Sequence, residues 1–329
     1  METKTFKWGI IGCGNVTEVK SGPAYKNTKG FELVAVMRRN AEKAKDYAQR
    51  HGIKKYYTNA DDLIQNPDIN AVYIATPPDT HKYYALKVAQ AGKICCFEKP
   101  MAPSYTDSLE IYNAFNEKNT PLFVAYYRRS LPRFVKIKEW LEAKHIGKIR
   151  NIQWTFSRYA SELDKSGTYN WRTDAKIAPG GYFDDLASHG LDLFTFLLGN
   201  ITQVQGIGVN QQQLYSAKDA ITACWLHNNN ITGSAFWNFG CNTSLDQVTI
   251  YGSQGQIEFS VFQENPIVLQ SKTKNEVLTI ENPKHIQTPH VEAIRDMLLQ
   301  KAIHPSLGKS ALHTSWVMAN ILGNLQEKL

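Results

Sequence analysis

The chain has 329 residues, of which 43% are hydrophobic, enough to bury a large core in two domains or one large one. Its formal charge of +7 would suit nucleic acid, but Lys and Arg are scattered without a run of four, and a mildly basic enzyme for anionic ligands explains the charge equally well. The five cysteines, Cys13, Cys95, Cys96, Cys224 and Cys241, are odd in number and show no CxxC spacing, so neither a zinc site nor a disulfide framework is supported.

The first predicted strand, Phe6 to Ile11, runs straight into Gly12-Cys13-Gly14-Asn15-Val16-Thr17. Gly12 would allow a tight turn, and Gly14 the close approach of a pyrophosphate to the following helix. The third fingerprint position is Thr17, and a plain glycine turn is the alternative. The next strand, 31 to 36, ends in Met37-Arg38-Arg39-Asn40, where an NAD-binding fold commonly offers an acidic residue to the adenosine ribose. Two arginines stand there instead. Arg38 and Arg39 suit a 2′-phosphate, which favours NADP over NAD, unless they are only solvated loop charges.

A helix is predicted over 41–51, a short strand at 55–57 and a helix near 61–65. Strand 71–75 stops at Thr76-Pro77-Pro78, which cannot continue pairing, so the chain turns at the carboxyl edge of the sheet. A helix from His81 to Ala91 leads to strand 94–97 and to Glu98-Lys99-Pro100. Helix 105–118 and strand 122–127 close the set. This alternation predicts an α/β fold, a doubly wound parallel sheet that binds ligand at its carboxyl edge.

The second half is built differently. After a helix over 131–143, residues 148–156 alternate as a half-exposed strand. Helix formation after Gly180-Gly181 puts Asp185 and His189 four residues apart on one face, a carboxylate beside an imidazole. Such a pair suits proton removal from an alcohol, although an ordinary i,i+4 pair is the plain alternative. Strands are then predicted at 203–212, 219–227, 231–239, 246–251 and 256–262, with shorter ones near 267 and 277. Asn228-Asn229-Asn230 and Ser253-Gln254-Gly255 supply hairpin turns. This mainly antiparallel sheet carries Trp225, Phe236, Trp237 and Phe239, which serve as core, ligand wall or an oligomer interface. Two amphipathic helices, 288–301 and 310–328, end the chain. No signal peptide precedes the first strand, and the longest apolar runs are too short to span a bilayer. The chain is expected to be cytoplasmic, with no nucleic-acid, membrane or metal partner.

The early GxG, Thr76-Pro77 followed by His81, Glu98-Lys99-Pro100, Tyr127-Arg128-Arg129, Trp171-Arg172, the Gly-Gly stretch to Asp185 and His189, and Val248 to Gly255 stand in an order that covers nearly the whole chain. Together they resemble the glucose-fructose oxidoreductase, inositol dehydrogenase and MocA family of NAD(P)-dependent oxidoreductases. The resemblance implies a Rossmann domain over 1–128 and a substrate-binding and oligomerisation domain over 129–329, with a large, mainly antiparallel open sheet through which a homodimer or homotetramer forms. It implies that Lys99 reaches both nicotinamide and substrate, that Lys99-Pro100 is cis, and that Trp171 and Arg172 lie near cofactor and substrate. The expected cofactor residues are Gly12, Gly14, Asn15, Val16, Arg38, Arg39, Thr76, Pro77, His81, Glu98, Lys99, Trp171 and Arg172. The expected catalytic residues are Lys99, Asp185 and His189, with Arg172 joining them on substrate.

The implied reaction is hydride transfer between NADP or NAD and a carbohydrate-like sugar, polyol or related hydroxy or keto compound, in the cleft between the domains. Lys99 and His189 divide the proton and the oxyanion between them. Rival readings are a nicotinamide-dependent glycoside hydrolase, an aromatic trans-dihydrodiol dehydrogenase and a ligand-sensing regulator without turnover. The loop from Ala160 to Thr168 is expected to help decide among substrates.

Overall fold

The computed structural model describes residues 4–323. Its first stretch alternates as the sequence suggests: β1 (Phe6–Ile11), α1 (Asn15–Val19), α2 (Gly22–Asn27), β2 (Phe31–Met37), α3 (Ala41–His51), β3 (Lys55–Tyr57), α4 (Ala60–Gln65), β4 (Ala71–Ile74), α5 (His81–Gln90), β5 (Ile94–Phe97), α6 (Tyr105–Glu117) and β6 (Leu122–Val124). All six strands pair parallel in the order β3-β2-β1-β4-β5-β6. Strand β4 is buried at all four positions, because helices cover both faces of a parallel sheet. The helix boundaries follow local chemistry. Asn40 caps α3 by accepting the Lys43 amide at 2.9 Å, and Gly52 ends it in the left-handed region at φ 63°.

The second stretch holds α7 (Pro132–Glu142), β7 (Ile149–Ser157), α8 (Glu162–Lys165), α9 (Tyr182–Leu198), β8 (Ile201–Val209), β9 (Ala220–His227), β10 (Thr232–Asn238), β11 (Leu245–Gly252), β12 (Gly255–Phe259), β13 (Ile267–Ser271) and β14 (Asn275–Leu278). Its eight strands run β14-β13-β12-β11-β7-β10-β9-β8, antiparallel except for β7 with β10. Strand β8 stops at Val209, short of the expected 212, because the amides of Gln211 and Gln212 go to the Asp219 carboxylate at 2.7 and 2.8 Å instead of to a ladder. Trp154 and Trp237 are fully buried, and Trp225 and Phe239 nearly so, in contact with α9 and its neighbours. Of the four aromatics considered for an interface, only Phe236 is exposed, at 39%. The other three belong to the core.

Helices α10 (Thr288–Leu298) and α11 (Gly308–Ile321) complete the described chain, and the end of the helix expected over 310–328 lies outside the described residues. The chain divides into two compact units: the part up to Leu131 with Pro283–Leu312, and Pro132–Asn282 with the part from His313. The division thus departs from a single cut after residue 128. Val291 and Ile294 of α10 are buried in one cluster with Trp8, Tyr25 and Phe123, and Ser306 Oγ donates to the Val124 carbonyl at 2.9 Å. An amphipathic pattern shows that a helix has an apolar face, not which sheet it covers. Among the described residues no helix is long and apolar enough to cross a membrane.

Candidate functional site

In the first unit β4 follows β3 in sequence but pairs with β1 on the side away from β2, so the strand order reverses between β1 and β4. Ligands of open parallel sheets sit beyond the carboxyl ends of the strands at such a reversal. A cavity of about 370 Å³ opens there. It is lined by Gly12, Cys13 and Gly14 after β1, by Met37, Arg38, Arg39 and Asn40 after β2, by Ala75, Thr76 and Pro77 after β4, and by Tyr84 of α5. Tyr84 had no motif to mark it; only its place one turn into a helix behind Thr76-Pro77 points to it.

The two glycines serve different ends. Gly12 has φ +92°, and a Cβ there would lie 2.6 Å from Thr76 Cγ2, so only glycine fits. Gly14 is extended at φ −153°, and a Cβ there would meet only the Gly12 carbonyl oxygen at 3.9 Å. What its missing side chain leaves is open room, which fits the approach of a dinucleotide phosphate. Thr17, in place of the third glycine, is fully buried and braces the turn: its Oγ1 accepts the Gly14 amide at 2.9 Å and donates to the Gly14 carbonyl at 2.8 Å. Close packing behind the turn is made at Gly22, where a Cβ would lie 2.2 Å from the Thr17 carbonyl oxygen. Asn15 and Val16 open α1 beside the cavity rather than lining it.

Arg38 Nη1 donates to the Cys13 carbonyl at 3.2 Å and ties the β2 loop to the glycine turn, while Arg39 is exposed. None of the residues lining the cavity is acidic. Burial pushes the Cys13 thiol up to about 11 despite the nearby Arg38 guanidinium, so it packs as a neutral group.

At the end of β5 the loop Glu98-Lys99-Pro100 contains a cis Lys99-Pro100 bond, as the resemblance implies. His81 was expected to line the cofactor cleft. It is instead fully buried, with Nδ1 3.0 Å from the Pro100 carbonyl and Nε2 2.9 Å from the Thr76 carbonyl. The ring therefore braces the β4 and β5 loops against each other, and burial holds its pKa below the usual histidine value. Glu98 Oε1 accepts two buried donors, Tyr73 Oη at 2.5 Å and Gln287 Nε2 at 2.7 Å. Lys99 beside it is partly exposed. Gln287 was missed because it follows Glu98 by 189 positions in a stretch without periodicity.

In the second unit α9 carries the other expected residues. Gly181 at φ +65° lets the chain pass the Lys218 carbonyl, where a Cβ would come within 2.5 Å. The Gly180 amide donates to Asp184 Oδ2 at 2.8 Å. Asp184 is buried, and desolvation, reinforced by the Asp185 charge, pushes its carboxyl up to about 7. Asp185 remains partly accessible, and its Oδ2 accepts Arg172 Nε at 2.8 Å. The Arg172 guanidinium lies over the Trp171 ring, 4.3 Å from its centroid. The structure thus brings Trp171, Arg172 and Asp185 together. His189 follows one turn later, buried and edge-on to Phe262 at 5.9 Å.

Gly190 beside it allows α9 to press on Trp154: a Cβ would lie 2.3 Å from the ring. The loop from Ala160 holds α8, and Tyr182 Oη donates to Asp164 there at 2.7 Å. A second cavity, of about 330 Å³, is bounded by this loop, by Tyr169, Asn170, Thr173 and Asp174, and by Leu214, Tyr215 and Ser216. Among the described residues no group of three or more His, Cys, Asp or Glu could hold a metal ion.

Residues 6–126 match an oxidoreductase family with an NAD-binding Rossmann fold, and residues 134–258 match the GFO/IDH/MocA C-terminal domain. The chain is 39% identical to Oxidoreductase P35 of Formosa agariphila over 97% of its own length and 98% of that protein. It is 32% identical to levoglucosan dehydrogenase of Pseudarthrobacter phenanthrenivorans over 51% of this chain and 43% of that protein. The solved structure of a levoglucosan dehydrogenase in complex with NADH superposes with a TM-score of 0.83 at 21% identity, covering 97% of this chain and 96% of the other. At that identity the likeness is one of fold.

Proposed function

The chain belongs to the GFO/IDH/MocA family of oxidoreductases with an NAD-binding Rossmann fold, and from that premise we propose that it is an NAD(P)-dependent dehydrogenase acting on the CH–OH group of a sugar, polyol or related hydroxy or keto compound. The observation that carries this reading is the Arg172–Asp185 ion pair of 2.8 Å on the helix turn before His189. It fixes a carboxylate one helical turn before an imidazole, an arrangement suited to proton transfer from an alcohol. A sugar-like substrate is favoured by the named activity of the levoglucosan dehydrogenase relative.

The nicotinamide, when bound, supplies the hydride acceptor or donor. The chain's own residues do the rest. Gly12, Gly14, Asn15, Val16, Thr76 and Pro77 hold the dinucleotide, Glu98 and Lys99 meet its nicotinamide half, and Trp171 and Arg172 flank cofactor and substrate. His81 supports the loop from behind. Arg38 and Arg39, in a wall with no carboxylate, favour the 2′-phosphate of NADP. His189 and Lys99 share two tasks, moving the hydroxyl proton and steadying the oxyanion. Asp185 orients His189 and stabilises its charged form, and Arg172 holds the Asp185 carboxylate in place.

One face of the second sheet carries exposed Ile207, Phe236, Tyr251 and Val277, and the strand register puts them on the same side. We assign that face to self-association into a dimer or tetramer; a monomer by light scattering would remove the assignment. The five free cysteines, three of them buried, suit a reducing compartment such as the cytoplasm.

The test is a screen of sugars, polyols and aromatic diols with NADP and NAD, read as absorbance of the reduced nicotinamide. Reduction with a sugar or polyol supports the reading, and reduction only with aromatic diols replaces its substrate class. Sugar release without net cofactor change identifies a hydrolase. Cofactor binding with no turnover on any compound identifies a sensor.

A further inference from the structure

The second cavity lies wholly within the second unit and is not used by the chemistry proposed above. We propose that it is a glycosyl subsite, taking a neutral sugar ring next to the one that reacts, so that the preferred substrates are glycosides or oligosaccharides rather than single sugars. The proposal rests on the dehydrogenase reading for the reacting ring, but not for binding in the cavity.

Its volume of about 330 Å³ stands at the low end of small-molecule sites, about 300–1,000 Å³. The wall is preorganised. Tyr182 Oη donates to Asp164 Oδ1 at 2.7 Å and accepts from Asn170 Nδ2 at 3.1 Å, and Ser161 Oγ donates to Asp164 Oδ2 at 2.6 Å. The cavity also adjoins the Arg172 turn. Asn170 and Thr173, which both line it, flank Trp171 and Arg172, and Asn170 Oδ1 accepts the Arg172 amide at 3.2 Å. A ligand held there touches the residues on either side of Arg172.

The unspent polar capacity is that of a polyhydroxyl ligand. Tyr215 Oη is shielded and has no hydrogen-bond partner among the described residues. One proton of Asn170 Nδ2 goes to Tyr182, which leaves the second. Asp174 Oδ1 accepts the Lys176 amide at 3.0 Å, and among the described residues no hydrogen bond falls on Oδ2. Beside these donors and this acceptor stands the Tyr169 ring, 72% exposed, an apolar platform for the C–H face of a pyranose. Charge narrows the class further. Asp164 and Asp174 line the cavity and no Lys or Arg does, so phosphorylated sugars and uronates are repelled while neutral rings are accepted.

Ligand-observed NMR on the full chain tests this without turnover, with cellobiose and maltose as neutral probes and glucuronate and glucose 6-phosphate as charged ones. At least one neutral disaccharide binds, both charged sugars bind more weakly, and Tyr169→Ala and Tyr215→Phe each weaken the neutral probe by about tenfold. Tyr169 is exposed, so Tyr169→Ala leaves the fold intact, and an unchanged NADPH titration verifies it. Failure of every probe to bind, equal binding of charged and neutral sugars, or undiminished binding in Tyr169→Ala overturns the subsite. Disaccharide binding in a protein that oxidises no sugar would sink the dehydrogenase reading and leave the subsite standing.

Discussion

Replacing Asp184 by asparagine separates a structural carboxyl from the functional one beside it. The amide side chain keeps an oxygen for the Gly180 N–H, which in the parent donates to Asp184 Oδ2 at 2.8 Å, but cannot ionise. In the folded protein burial raises the Asp184 carboxyl from 3.8 to about 7. The native state therefore binds this proton more tightly than the unfolded chain does. Its contribution is fully present below the unfolded value and is lost as pH rises from about 4 through about 7. Roughly three pKa units correspond to about 4 kcal/mol, an upper figure for a site that can relax or admit water. Asp184→Asn carries no such loss, so stability of the variant minus that of the parent should grow steadily across the window.

Two buried histidines act in the opposite direction. Burial lowers His290 and brings His304 down to about 4, so their contribution is lost as pH falls below the ordinary histidine value. Both proteins carry them, and they cancel in the difference. Urea unfolding of parent and variant at a series of pH values reads the effect directly. Parallel stability profiles between about pH 4 and about pH 7 would refute the claim that burial raises the Asp184 carboxyl in the fold.

Other outcomes follow from the same geometry. Exchanging Arg38 for Asp and Arg39 for Ser should weaken NADPH far more than NADH by fluorescence titration; equal losses would contradict the phosphate-clamp reading. Gln287→Leu removes one of the two donors to Glu98, and cofactor affinity should fall about tenfold, the scale of one hydrogen bond to a charged group. An unchanged affinity in the folded variant would take Glu98 out of cofactor binding. Gly190→Ala drives a methyl to within 2.3 Å of the Trp154 ring, which cannot retreat because its Nε1 is held by Asp246 at 3.0 Å. Destabilisation of about 1–3 kcal/mol is expected, and an unchanged unfolding midpoint would show that α9 does not press on that ring.

The sheet of the first unit was legible because parallel strands are short apolar runs punctuated by glycine, proline and caps, as at Ile11-Gly12 and Ile74 to Pro77. Three residues that line the first cavity were legible for the same reason: Gly12, Arg38 and Thr76 stand just past strand ends. Residues that act through long-range contacts were not. Gln287 reaches Glu98 from a segment that returns to the first unit, and Asn170, Asp174 and Tyr215 form a wall from loops with no period. His81 shows a related limit. Its place before a helix was readable, but only packing reveals that both ring nitrogens face backbone carbonyls. The exposure of Phe236 and burial of Trp225 and Trp237 likewise depend on strand register, which alternation alone leaves open by one residue.

The central claim is that Lys99 and His189 serve one chemical step, and a double-mutant cycle on single-turnover hydride transfer measures it. Lys99→Met and His189→Asn should each slow the step by about a hundredfold or more, and the double variant little more than the slower single one, with NADPH affinity held in all three. Normal rates in either single variant, or losses that multiply in the double variant, would contradict it.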